Sequence, residues 1–142
     1  MGTTDKTNIT IKAVIQAPID LVWKMWTTPE DIKKWNYASD DWHCPYVVND
    51  LRVGGNFTSR MEAKDGSAGF DFTGVYDKVK INEVIGYIME DGRKVSTEFI
   101  ATDSTTEVIE TFEAENANPI EMQRGGWQTI LDNFKKLVEN NN

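Results

Sequence analysis

The chain has 142 residues, 39% of them apolar and 27% charged, and carries a formal charge of −8. That length suits one domain spanning residues 1–142, its core expected over 9–138, and the composition excludes disorder. The negative charge, offset by no basic cluster, excludes nucleic acid and anionic membrane surfaces as partners.

Cys44 is the one cysteine, so no intramolecular disulfide forms. Met1–Lys6 is polar, and no apolar run approaches the length of a membrane span. A cytoplasmic location without membrane insertion is therefore expected.

Ile9–Gln16 alternates apolar and polar residues and predicts a strand with one buried face. Pro18 then opens a short helix in which Ile19, Val22, Trp23 and Trp26 share a face. Thr28 and Pro29 mark a second helix start, as cap and first helical residue, and that helix ends near Trp35. Asn36–Tyr46 lacks periodicity and reads as a loop carrying Trp42, His43 and Cys44. Strands are predicted at Asn56–Ala63, Gly69–Lys80, Val84–Glu90, Lys94–Ala101 and Thr106–Glu113. Gly54-Gly55, Asp65-Gly66, Asn82-Glu83, Asp91-Gly92 and Asp103-Ser104 supply the turn chemistry around them.

The last element is a long helix over Asn118–Val138. Asn118 is its expected cap, Pro119 its first residue and Glu121 the third member of a capping box. Lys135 and Lys136 near its end would complement the helix dipole. Trp127, Ile130, Leu131, Phe134 and Val138 form an aromatic-rich stripe. Such a helix needs a sheet to lie against, an arrangement that often leaves a pocket between the two. Gly125-Gly126 inside it costs roughly 2 kcal/mol relative to alanines. Two readings fit: close packing on the sheet, or a bend that leaves room at a cavity mouth.

Strand alternation also assigns faces. Phe70, Phe72, Gly74 and Tyr76 share one side, as do Ile85, Tyr87 and Met89. If Val108 and Phe112 point inward, Glu110 between them must point inward too. A carboxylate on an apolar face has to be paired, protonated or wetted by a cavity. Arg60 is one candidate partner.

Taken in order, several segments carry a family resemblance. They are Ala17-Pro18 with Val22 through Glu30, Trp35, Gly54-Gly55-Asn56-Phe57, and Gly69 through Tyr76. Asp91-Gly92-Arg93, Thr106-Glu107-Val108 with Phe112, and Gln123 through Phe134 complete the set. Together they resemble the family of activators of heat-shock-protein (ninety kilodalton) ATPase homologues. That family lies in the superfamily of birch-pollen-allergen-like and START-like lipid-transfer domains, SRPBCC. The resemblance implies an α+β helix-grip fold: a curved antiparallel sheet of about six or seven strands wrapped around a long C-terminal helix. Two short helices after the first strand would form its base. It also implies a cavity between sheet and helix, which in the wider superfamily commonly holds apolar ligands.

Little conventional catalytic chemistry is present. His43 is the one histidine, so no two-histidine metal site exists within a chain, and neither metal nor cofactor is expected. His43 and Cys44 are sequence neighbours that do not normally face each other, and Cys44 reads as a small buried hydrophobe. The glycine pairs sit in hairpins, outside any phosphate-binding frame. Asp71 reads as a solvent-facing strand residue, and Glu110 as either ion-paired or cavity-lining. The candidate cavity residues are Trp35, Trp42, His43, Phe57, Met61, Phe72, Tyr76, Tyr87, Glu110, Phe112, Trp127, Ile130 and Phe134. Of these, Phe112, Trp127 and Phe134 read first as plain core.

The leading expectation is a small binding protein that holds an apolar or amphipathic molecule, oriented by Glu110 and a tyrosine hydroxyl. One rival is a module that touches a chaperone with its acidic surface. Another is an enzyme on aromatic or polyketide-like substrates with Glu110 or Asp71 as base. The expected state is a monomer or a weak dimer, the latter through Asn56–Ala63 as an exposed edge strand.

Overall fold

In the first strand, Ile9, Ile11, Ala13 and Ile15 are buried while the residues between them are exposed. The structure, a computed structural model, describes residues 7–142 and forms this segment into β1 (Asn8–Ile15). Helices α1 (Ile19–Thr27) and α2 (Pro29–Ile32) follow. Then come β2 (Trp42–Asn49), β3 (Asn56–Ala63), β4 (Gly69–Lys80) and β5 (Val84–Met89). Strands β6 (Lys94–Thr102) and β7 (Thr105–Glu113) lead into the long helix α3 (Ile120–Asn140).

The strands make one seven-stranded antiparallel sheet in the order β1-β7-β6-β5-β4-β3-β2, curled into a half-barrel. The hairpin turns from β3 onward fall at the expected turn pairs. Gly54, Gly66, Asn82, Gly92 and Asp103 all adopt positive φ, the region that glycine and asparagine or aspartate tolerate best. This is the helix-grip architecture that the sequence resemblance implied.

Several sequence expectations change. Trp42, His43 and Cys44 lie on edge strand β2 and not in a loop. Its periodicity is broken by a register shift between His43 and Tyr46, around Pro45, which an edge strand tolerates. Strand β3 is consequently not an edge, because β2 and β4 flank it.

The start of α3 is also built differently. Pro119, not Asn118, occupies the cap position, and no side chain makes a cap hydrogen bond there. Instead the buried Gln123 donates to the carbonyls of Glu115 and Asn118 and accepts from the Glu115 amide, tying the helix start to the preceding loop. Thr28 likewise stands at the cap of α2 without a side-chain cap bond.

Lys135 does not serve the helix dipole. Its Nζ donates to the Val14 carbonyl at 2.6 Å, on the free edge of β1. Arg124 donates in the same way to the Thr10 carbonyl, Gln128 to Lys12, and Asn142 beyond the helix to Gln16. From Thr10 to Gln16 every second carbonyl thus meets a donor from the α3 side. A sheet edge otherwise presents unpaired backbone groups as a template for association. Leu131, Phe134 and Val138 are buried on the same helix. Phe134 packs edge-on to Trp26 and Trp35, which stack on each other at 4.9 Å.

Gly125 and Gly126 are not close-packing glycines. A Cβ built on either would meet nothing within 4 Å. Replacing each with alanine is expected to stabilise the protein by about 0.5–1 kcal/mol, chiefly by restricting the unfolded chain and favouring the helix. Urea unfolding of G125A and G126A checks this; a lowered midpoint in either would show that the helix needs the glycine.

Candidate functional site

The sheet curls over more area than α3 covers, and the uncovered part becomes a cavity of about 240 Å³. Strand alternation supplies its floor. Phe57, Ser59 and Met61 come from β3, Phe70, Phe72 and Tyr76 from β4, Ile85 and Tyr87 from β5, and Glu110 from β7. Trp26, Ile32, Trp35 and Asn36 close one side, and Trp127 and Ile130 of α3 close the other.

Gly74 fixes the shape of this floor. A Cβ there would lie 2.6 Å from the Phe57 ring, so glycine is what lets that ring lie across β4. Phe57 then sits 4.8–5.8 Å, centroid to centroid, from Phe72, Tyr76 and Tyr87. On the facing helix, Trp127 stacks on Phe112 at 4.0 Å and 11°. The fully buried Phe112 therefore backs Trp127 without lining the cavity.

Nine of the thirteen sequence candidates meet here: Trp35, Phe57, Met61, Phe72, Tyr76, Tyr87, Glu110, Trp127 and Ile130. The other four do not line the cavity. Phe112 and Phe134 are fully buried core. Trp42, on β2, lies behind the lining residue Phe70 at 6.0 Å between ring centroids, and His43, also on β2, faces Glu62 at 3.8 Å. Ser59, Phe70 and Ile85 were missed although each stands two residues from a named candidate on the same strand face. Trp26, Ile32 and Asn36 carried no such signal.

Glu110 is the one charged side chain in the lining among the described residues. It is 6% exposed, and its Oε2 accepts a hydrogen bond from the Thr97 hydroxyl at 3.2 Å. Among the described residues no basic side chain pairs with it. Arg60, the partner considered from sequence, is held by Glu62 at 2.9 Å and Asp71 at 3.4 Å. Asp71 is correspondingly an exposed strand residue. Burial pushes the Glu110 carboxyl up to about 7, and the Thr97 bond opposes this only partly.

The tyrosines divide by role. Tyr76 donates to Asn49 Oδ1, and Asn49 in turn donates to the Thr27 carbonyl, so that hydroxyl fastens β4 to β2 and α1. Tyr87 makes no side-chain hydrogen bond among the described residues, and burial holds its phenol well above the usual range. Trp35 spends its indole N–H on the Met25 carbonyl at 3.0 Å. Buried Cys44 has a thiol pushed up by burial, which suits a packing role. Among the described residues no group of three or more His, Cys, Asp and Glu is arranged to hold a metal ion.

Glu110 makes stability depend on pH with a definite sign. Its folded pKa is raised from 4.5 to about 7, so between those values the folded state holds more protons than the unfolded. Stability contributed by the protonated carboxyl is therefore lost as pH rises through that window. The full penalty is about 3 kcal/mol above pH 7. Thermal unfolding of Glu110→Gln should show little change near pH 4.5 and a gain over wild type at pH 8. Equal gains at both values would contradict the burial argument.

Similarity to known proteins agrees with this geometry. The sequence model for the family described as "Activator of Hsp90 ATPase homolog 1-like protein" matches residues 16–139. No curated protein matches the chain. Among solved structures, the AHSA1-like protein of Aeromonas hydrophila is 46% identical, with a TM-score of 0.89 over 94% of this chain and 93% of that one. A protein of Cytophaga hutchinsonii is 51% identical, with a TM-score of 0.82 over the same shares. A protein of Chromobacterium violaceum, 23% identical, shares the fold at a TM-score of 0.84 over 94% of this chain and 98% of that one. With a family match across most of its length and relatives of this identity, the chain belongs to the activator of Hsp90 ATPase homolog 1-like family.

Proposed function

We propose that the protein binds an apolar or amphipathic small molecule in the cavity between the sheet and α3. The observation that carries this reading is the cavity itself: aromatic and aliphatic walls around a single buried carboxylate. Sites for small organic molecules are mostly apolar, with a few polar groups that set orientation. Here Glu110, Tyr87 and Ser59 are those groups. No helix among the described residues is long and apolar enough to cross a membrane.

A second reading rests on Glu110 alone. A carboxyl whose pKa lies near 7 is suited to exchange a proton with a bound substrate, so a ligand of this cavity is also a substrate candidate. Incubating the protein with whichever class binds, and following the compound by mass spectrometry, separates binder from enzyme. Turnover that survives Glu110→Gln would remove this carboxyl from the chemistry.

The direct test is thermal unfolding against a panel of aromatic, fatty, sterol-like and polyketide-like compounds. A ligand at a hundredfold its Kd stabilises by about 2.7 kcal/mol. At this size that raises the midpoint by roughly 5–11 °C. Ile130→Trp, at the half-buried cavity wall, should abolish the shift while leaving the free protein folded. A panel without any shift would sink the reading and point to a protein partner, first the chaperone named in the family description.

A further inference from the structure

We infer that the cavity selects a small organic amine, its ammonium group paired with Glu110 and its apolar body held by the aromatic walls. This rests on the binding reading above and narrows it to one ligand chemistry.

The charge balance of the site is the first ground. Among the described residues the lining contains one carboxylate and no lysine, arginine or histidine. Around Glu110, its cross-strand neighbours are Ile11 on β1 and Thr97 on β6. Tyr87 on β5 lies close enough to feel its charge, and α3 contributes only Trp127 and Ile130 to the cavity. Arg93, a cation whose charge reaches Tyr87, is held by Asp91 at 2.7 Å and by the Glu113 carbonyl. One Glu110 oxygen takes the Thr97 hydroxyl, and the other accepts no hydrogen bond among the described residues. A buried carboxylate so placed lacks a counter-charge. An anionic ligand would be repelled by the ionised form, and a neutral one would leave the carboxyl to take up a proton. An ammonium supplies both the charge and the missing donor.

The walls are the second ground. Trp127, Tyr87, Phe72 and Phe57 line the cavity, and aromatic rings attract cations by their quadrupole. The size is the third. An apolar cavity of about 150 Å³ holds benzene, so about 240 Å³ corresponds to roughly ten non-hydrogen atoms. That is one ring with a short aminoalkyl arm. The protein's overall charge of −8 favours approach of a cation over an anion.

Three probes share a ring and differ at the polar end: 2-phenylethylamine, 2-phenylethanol and phenylacetate. Calorimetry on the wild type should rank the amine about tenfold or more tighter than the alcohol, with the acid weakest. With Glu110 titrating near 7 and the amine protonated well above pH 8, amine affinity should rise about tenfold from pH 6 to pH 8. Glu110→Gln should cost the amine about tenfold more than it costs the alcohol, and flatten the amine's pH profile. If that variant does not fold, the wild-type ranking and pH profile decide alone. An alcohol that matches the amine, or amine affinity that falls with pH, overturns the amine assignment and leaves the cavity reading standing. The amine assignment also falls if none of the three binds while another class in the panel shifts the unfolding midpoint. If none binds and no class shifts it, the binding reading fails as well.

Discussion

The free edge of β1 carries outward carbonyls at Thr10, Lys12, Val14 and Gln16 that would otherwise stand unpaired at the end of the sheet. Donors on and just beyond α3 meet each of them, and the placement of the helix follows from those bonds. With Leu131, Phe134 and Val138 buried beneath, they anchor α3 over the β1 end. A helix anchored at one side of a curled seven-stranded sheet cannot also fill the concave space over β3, β4 and β5. The cavity is the geometric remainder of that choice.

What fills such a remainder decides whether it is core or site. Phe57, freed by Gly74 to lie across its neighbour strand, joins Phe72, Tyr76 and Tyr87 in one aromatic cluster. On the helix side, Phe112 holds Trp127 flat from behind. These contacts stiffen the walls without consuming the space between them. Glu110 then stands out: a carboxylate in that setting costs free energy unless protonated or met by a cation. A fold selected for stability alone would place an apolar residue between Val108 and Phe112. This chain keeps a carboxylate there, with Thr97 as its hydrogen-bond partner.

Much of this was legible in the residues. Period-two alternation placed β1 and the strands from β3 to β7 within a residue or so, and it set Glu110 on the inner face. It also contained Ser59, Phe70 and Ile85, each two positions from a recognised wall residue. Trp42 and His43 were misplaced because Pro45 and a register shift erase the alternation of β2. The capping box failed for a different reason. Asn118 and Glu121 have the right spacing, but Gln123 reaches the loop carbonyls and fixes the helix start instead.

Element order, turns and the face each strand buries follow from local sterics and hydrophobic period, so the residues alone carry them. Which faces meet is settled only when the chain folds. Arg60 is as basic as any partner Glu110 could want, yet the pairing of β3 with β4 sets it beside Asp71 and Glu62, with three strands between it and β7. Trp26, Ile32 and Asn36 reach the cavity only because α1 and α2 fold across its end. Whether aromatic rings fill a space or enclose it depends on separations of a few ångströms between elements distant in the chain, and no local pattern encodes those.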